Sequence, residues 1–154
     1  MHVRQICRAL GLPPSRYGRI RIMTLGSIRH HTFIRRPAAE VWELAGDPTR
    51  LHEWFPGITA CEVDGNARVI TLGSGLPMPE EILVKDDVHR RFQYRITAPV
   101  FQYHRGTIDV LDAGDDRCVV VYSTDCDPRA MALMIGSGTA GALDELRRQM
   151  EAAA

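Results

Sequence analysis

Residues 103–128 read YHRGTIDVLDAGDDRCVVVYSTDCDP, and this stretch decides the fold. On either side of Ala113-Gly114-Asp115-Asp116, apolar and polar residues alternate with a period of two, as half-buried strands do, and the four residues between them favour a tight turn. The spacing predicts long strands at 103–111 and 117–126. Immediately upstream, EEILVKDDVHRRFQYRI at 80–96 repeats the arrangement, with strands at 80–85 and 90–97 around Asp86-Asp87. Two more strands, 58–63 and 68–72, flank Asp64-Gly65-Asn66, and Gly73-Ser74-Gly75 turns the chain onward. Connections this short require an antiparallel meander.

Residues 27–34 add a seventh strand, in which Ile28, His30, Thr32 and Ile34 alternate with Arg29, His31 and Phe33. Between it and the meander, Pro37 opens a short amphipathic helix carrying Val41, Trp42, Leu44 and Ala45, which Gly46 ends. Asp47 is placed to cap a second short helix through Thr49, Leu51 and Glu53, leading to Trp54, Phe55 and Pro56. Asp127-Pro128 stops the last strand. Residues 129–150 then read as a helix, with Met131, Met134, Ile135, Ala142, Leu143 and Leu146 at helical spacing and Gly136, Gly138 and Gly141 interrupting it. These glycines are expected to thin the helix where it crosses the sheet, leaving room for a ligand.

The chain has 154 residues, 45% apolar and 25% charged, enough for one domain with a real core. Nineteen basic and nineteen acidic residues cancel, so the charge favours neither a nucleic acid nor an anionic membrane as partner. The balance is uneven: Arg4, Arg8, Arg16, Arg19 and Arg21 precede residue 25 with no acid among them, leaving fourteen basic against nineteen acidic residues beyond. Residues 1–24 are therefore set apart as a basic extension: a targeting peptide, a disordered arm, or sequence ahead of a natural start at Met23. The apolar stretch around Ile6 is too short and too charged for a secretion signal, and no window reaches the roughly 18 apolar residues of a membrane span. A cytoplasmic location is expected. Four cysteines form no zinc-like spacing, and Cys118 and Cys126, eight residues apart on one strand, lie roughly 26 Å from each other, so free thiols are expected.

Several strings invite other readings and fail. GSGTAG at 136–141 fits a dinucleotide fingerprint, but it lies within a helix with too little chain after it for a second βαβ strand. Gly73-Ser74-Gly75 lacks the lysine of a phosphate loop, and no GxSxG elbow is present. His30 and His31 are consecutive in a strand and point to opposite faces, so they cannot chelate together; His52 and His89 read as surface residues, and no metal or cofactor is expected.

Within this frame RRPAAEVWELAGDPTRLHEWFPGI at 35–58, the two strand hairpins quoted above and the closing helix resemble the START-like, Bet v 1-like superfamily (SRPBCC), especially its polyketide cyclase/dehydrase branch. The resemblance covers residues 27–150 and implies one START-like domain at 25–154 with an α+β helix-grip fold. Such a fold has a curved antiparallel sheet of about seven strands, two short helices after the first strand, and a long C-terminal helix over a deep cavity. Its members include lipid carriers, hormone receptors and aromatic polyketide cyclases.

Candidate residues follow from strand phase and this likeness. Trp42 reads as core. Trp54 and Phe55 are expected near the cavity mouth, and Tyr94 and Tyr122 on the concave face, where a phenol can orient a carbonyl or act as an acid. Glu80 shares the phase of Ile82 and Val84; turned inward, its carboxylate needs an arginine, water or ligand. His104 is left open by its strand phase. The expected function is binding of a hydrophobic, lipid-like or aromatic molecule against Trp54, Phe55, Glu80, Tyr94, Phe101, Tyr122 and Met134. The alternative is a cofactor-independent cyclase or dehydratase using Tyr94, Tyr122, Glu80 or His104 for proton transfer. Oligomeric state is not legible.

Overall fold

The computed structural model describes residues 25–152; the basic leader and Cys7 lie outside them. The chain runs β1 (Gly26–Ile34), α1 (Ala38–Ala45), α2 (Leu51–Trp54), β2 (Ile58–Asp64), β3 (Ala67–Leu72), β4 (Pro77–Asp86), β5 (Arg91–Ile96), β6 (Tyr103–Gly114), β7 (Arg117–Asp127) and α3 (Met131–Ala152). All seven strands form one antiparallel sheet in the order β1-β7-β6-β5-β4-β3-β2. The meander is as expected, and β1 closes beside β7, so the two short helices carry the chain from one edge of the sheet to the other. α3 lies on the concave face, chiefly over β1 and β7.

Several boundaries differ from expectation, β4 beginning at Pro77 rather than 80 among them, and three have clear local reasons. β6 runs through Ala113 to Gly114, because Asp115 and Asp116, both with φ of 52°, form the whole two-residue turn. Asp47 caps no helix: its carboxylate accepts from the Thr49 backbone N–H at 2.9 Å and hydroxyl at 2.6 Å, a local turn that delays α2 to Leu51. α3 starts at Met131, after a turn in which the Met131 N–H donates to the Pro128 carbonyl at 3.0 Å.

The core lies between the concave face and the helices. Ile34, Val110, Cys118 and Val120 are fully buried beneath α1 and α3, together with Val41, Ala142 and Leu146. Each large apolar side chain here contributes about 1.5–3 kcal/mol relative to exposure. Trp42 belongs to this packing: its Nε1–H donates to Asp87 at 2.7 Å, Lys85 lies 4.8 Å above its ring, and its indole lies against Gly46.

The three helix glycines do not create ligand space. A Cβ on Gly136 would stand 2.8 Å from Ile28 Cδ1 and 2.9 Å from Cγ2, so the helix needs that hydrogen to press onto β1. A Cβ on Gly138 would meet Phe55 at 3.1 Å, while Gly141 faces open space. Opposite signs follow for one substitution at two places. Gly141→Ala should stabilise by up to about 1 kcal/mol through helix propensity. Gly136→Ala should lose about 1–2 kcal/mol as overpacking outweighs the same gain. Urea unfolding of both variants measures the difference, and equal effects would refute the packing role of Gly136.

Candidate functional site

The concave face carries a polar cluster that begins with two charges. Arg68 on β3 and Glu80 on β4 are directly opposed in the sheet register and meet with Nε donating to Oε2 at 2.7 Å. Both side chains are 2% exposed. Burial pushes the Glu80 carboxyl up, with Arg68 opposing; desolvation is the strongest single influence on Arg68 and lowers it, but Glu80 with Tyr94 and Tyr122 more than offsets this, so the guanidinium stays charged. The guanidinium lies 5.0 Å from the Phe92 ring centre and 4.8 Å from that of Tyr94, and a second nitrogen donates to the Pro48 carbonyl at 3.4 Å. Its remaining nitrogen, Nη2, has no partner among the described residues.

Two tyrosines form the next layer. Tyr94 on β5 and Tyr122 on β7 reach across β6 to share a 2.7 Å hydroxyl hydrogen bond. Gly106 on the intervening strand permits this, because a Cβ there would stand 2.4 Å from the Tyr94 ring. Burial raises both phenols far above their ordinary range, so they remain neutral and donate or accept hydrogen bonds rather than act as ready acids. The rings of Trp54 and Phe55 each lie 6.3 Å from that of Tyr122, joining the α2 end to the sheet.

His104, whose direction sequence left open, points inward on β6 and is 4% exposed. Its Nδ1 accepts the Ile96 backbone N–H at 3.0 Å, which assigns the proton of the neutral ring to Nε2. The ring stands 5.5 Å from Tyr94 and 5.4 Å from Phe101. Among the described residues, the buried Trp54 Nε1, His104 Nε2 and Thr124 Oγ1 join Arg68 Nη2 in having no hydrogen-bond partner. Three of these four are pure donors.

The structure thus brings Trp54, Phe55, Glu80, Tyr94, Phe101, His104 and Tyr122 into one continuous chain of contacts. Met134 is the exception and corrects the expected set: it is 68% exposed on the outer side of α3, whose inner stripe is Ala132, Gly136, Thr139, Ala142, Leu143 and Leu146. In the first turns of α3 the buried Ala132 and Gly136 lie one position on from Met131 and Ile135, which helical spacing singles out. Sequence reasoning missed Arg68 and Gly106. Arg68 shares the phase of buried Ile70, and a buried Glu80 requires a cation, so the signal was present. Gly106 carried none, because its use depends on a ring from another strand.

The remaining candidates are accounted for structurally. Cys118 and Cys126 are buried free thiols, and burial pushes Cys118 up to about 11, which makes it a poor nucleophile. His52 and His89 are exposed. No group of three metal-ligating side chains gathers among the described residues, and no helix there is long and apolar enough to cross a membrane.

Burial lowers the His104 pKa from 6.5 to about 4, with Asp125 partly opposing. Between those values the unfolded chain takes up a proton that the folded chain refuses. The contribution is therefore whole above about pH 6.5 and is lost as pH falls toward 4, about 3 kcal/mol in all. His104→Asn keeps an acceptor near the Ile96 N–H and removes the titration. Between pH 7.5 and pH 4.5 the parent chain should lose about 2–3 kcal/mol more stability than this variant in denaturant titrations; parallel losses would refute the assignment.

Comparisons with known proteins agree with this architecture. XoxI from Bacillus cereus superposes with a TM-score of 0.76 at 19% identity, over 81% of this chain and 95% of that one. A START superfamily protein from Mycobacterium smegmatis gives 0.70 at 10% identity, over 83% and 99%. Norcoclaurine synthase from Thalictrum flavum, solved with a transition-state analogue, gives 0.67 at 18% identity, over 84% and 96%. These likenesses establish the helix-grip fold. No curated protein matches by sequence. Residues 26–154 match the model of the family described as polyketide cyclase / dehydrase and lipid transport, and with its START-like fold the chain belongs to that family.

Proposed function

We propose that the chain binds a hydrophobic small molecule, aromatic or lipid-like, between the concave face of the sheet and α3, and that the molecule carries a hydrogen-bond-accepting oxygen. The observation that carries this reading is the set of buried donors without partners, Trp54 Nε1, Arg68 Nη2 and His104 Nε2, around the Tyr94–Tyr122 pair. An unsatisfied buried polar group costs about 1–3 kcal/mol, so several in one place favour a ligand that satisfies them. Apolar burial against Trp54, Phe55 and Phe101 supplies affinity, and a ketone or phenol oxygen near Arg68 supplies orientation. Family membership supports the same reading.

A second reading is favoured by one feature. A charged guanidinium beside two neutral phenols stabilises an enolate, the intermediate state of an aldol-type cyclisation, by charge and hydrogen bonds without a strong base. The lowered His104 and raised tyrosines make these groups donors at neutral pH, and Glu80 is occupied by Arg68. A cyclase built this way works by folding its substrate and holding the developing oxyanion.

The test compares 2-acetylnaphthalene with 2-ethylnaphthalene, which differ in the acceptor oxygen. The parent chain should bind the ketone about tenfold more tightly, and Arg68→Met/Glu80→Leu, which replaces the ion pair with apolar groups and is expected to fold, should abolish the preference. Calorimetry or competition with a fluorescent probe measures both. Equal affinities in the parent chain would overturn the orienting role of the donors, and absence of binding to either would overturn the cavity. Recovery of a poly-β-ketone thioester intact or cyclised then separates carriage from catalysis.

A further inference from the structure

The sheet is forked. The β5–β6 ladder ends at Tyr94 and Gly106, yet β5 stays paired with β4 as far as Ile96 opposite Glu80, and β6 stays paired with β7 back to Tyr103 opposite Asp127. Each prong is held to its own outer neighbour: the Thr97 N–H donates to the Pro79 carbonyl at 2.9 Å, and the Gln102 N–H to the Asp127 carbonyl at 2.8 Å. In the gap the Ile96 N–H, which an ordinary ladder would hand to backbone, is taken by the His104 imidazole. Continuing the register sets Arg95 opposite Arg105 on the outer face, a like-charge pair that opposes zipping. Arg95 is drawn instead toward Glu81 on β4.

A cleft of about 400 Å³ occupies this fork. Its lining joins side-chain positions of the two faces: Arg95, Tyr103 and Arg105 alternate outward, while Ile96 and His104 alternate inward, with Phe101 from the connecting loop. A surface groove on one side of an intact sheet draws on one phase only. Of the lining residues His104 alone is buried; its ring stands 5.5 Å from that of Tyr94 in the interior cluster, and its Nε2 has no partner among the described residues.

We infer that the fork between β5 and β6 is a second ligand-holding site, continuous with the interior, through which an apolar molecule enters from the convex face past His104 and Phe101. This rests on the interior binding reading proposed above. The volume suits a two-ring aromatic or a short alkyl chain. Ile96 and Phe101 supply apolar wall, and the outer guanidiniums favour a molecule whose trailing end is polar or anionic.

The test staples the fork on its outer side, away from the interior. In Arg95→Cys/Arg105→Cys, oxidation to a disulfide, or bridging with a short bismaleimide if the gap is wider, closes the cleft in a protein whose reduced form is its own control. Stopped-flow fluorescence with N-phenyl-1-naphthylamine should show association and dissociation both slowed at least about tenfold on stapling, with the equilibrium affinity much less changed. In an independent variant, Phe101→Ala, both rates should rise severalfold. Binding to the reduced form with rates unaltered by stapling or by Phe101→Ala would overturn the route while leaving the interior site standing. Failure of the probe to bind the reduced form and the parent chain alike would instead overturn the interior reading, and this one with it.

Discussion

A guanidinium and a carboxylate buried 2.7 Å apart on the concave face set the terms for everything around them. Neither charge tolerates this environment alone, and losing one partner costs about 3–5 kcal/mol, so β3 and β4 are locked in the register that opposes Arg68 to Glu80. The guanidinium has more donors than one carboxylate can use. The rings of Phe92 and Tyr94 lie against it, the Pro48 carbonyl takes a second nitrogen, and Nη2 is left over among the described residues. A satisfied apolar core would have had no need of these groups. Their presence between β3 and β4 puts a polar cluster within apolar surroundings, the feature on which the proposed binding role rests.

The tyrosine pair and His104 extend the same logic. Low dielectric keeps both phenols and the imidazole neutral, which suits them to donating hydrogen bonds and unsuits them to carrying charge. Arg68 is then the one lasting positive charge of the cluster, balanced by Glu80. An oxygen that gains negative character near it is stabilised, and an apolar ring beside it finds Trp54, Phe55 and Phe101. The carriage and the cyclisation proposed above would use the same arrangement and differ in whether the bound molecule can react with itself once folded.

Two glycines show how little freedom the backbone retains around this cluster. Gly106 lets Tyr94 lie across β6 to reach Tyr122, and Gly136 lets α3 approach β1 through Ile28. Both give up a side chain so that another element can pass close by. The fork between β5 and β6 is the complementary case, where strands that pair on one side of Tyr94 separate on the other and an imidazole substitutes for backbone.

Period-two alternation and short turns determined the antiparallel meander, because each strand's phase and each two- to six-residue connection is a local property. The same phase placed Tyr94, Tyr122 and Glu80 inward. Local pattern failed where a residue's role depends on something distant in the chain. Met134 sits at helical spacing but faces solvent, because the roll of α3 is set by Gly136 against Ile28. Asp47 looked like a helix cap and instead turns back on Thr49. Arg68 became part of the site because Glu80, twelve residues on, faces it. His104 was undecided until the strands parted at Tyr94 and gave its Nδ1 a backbone donor. Only the tertiary structure could decide these, since burial, register and close approach are relations between segments that the order of residues does not state.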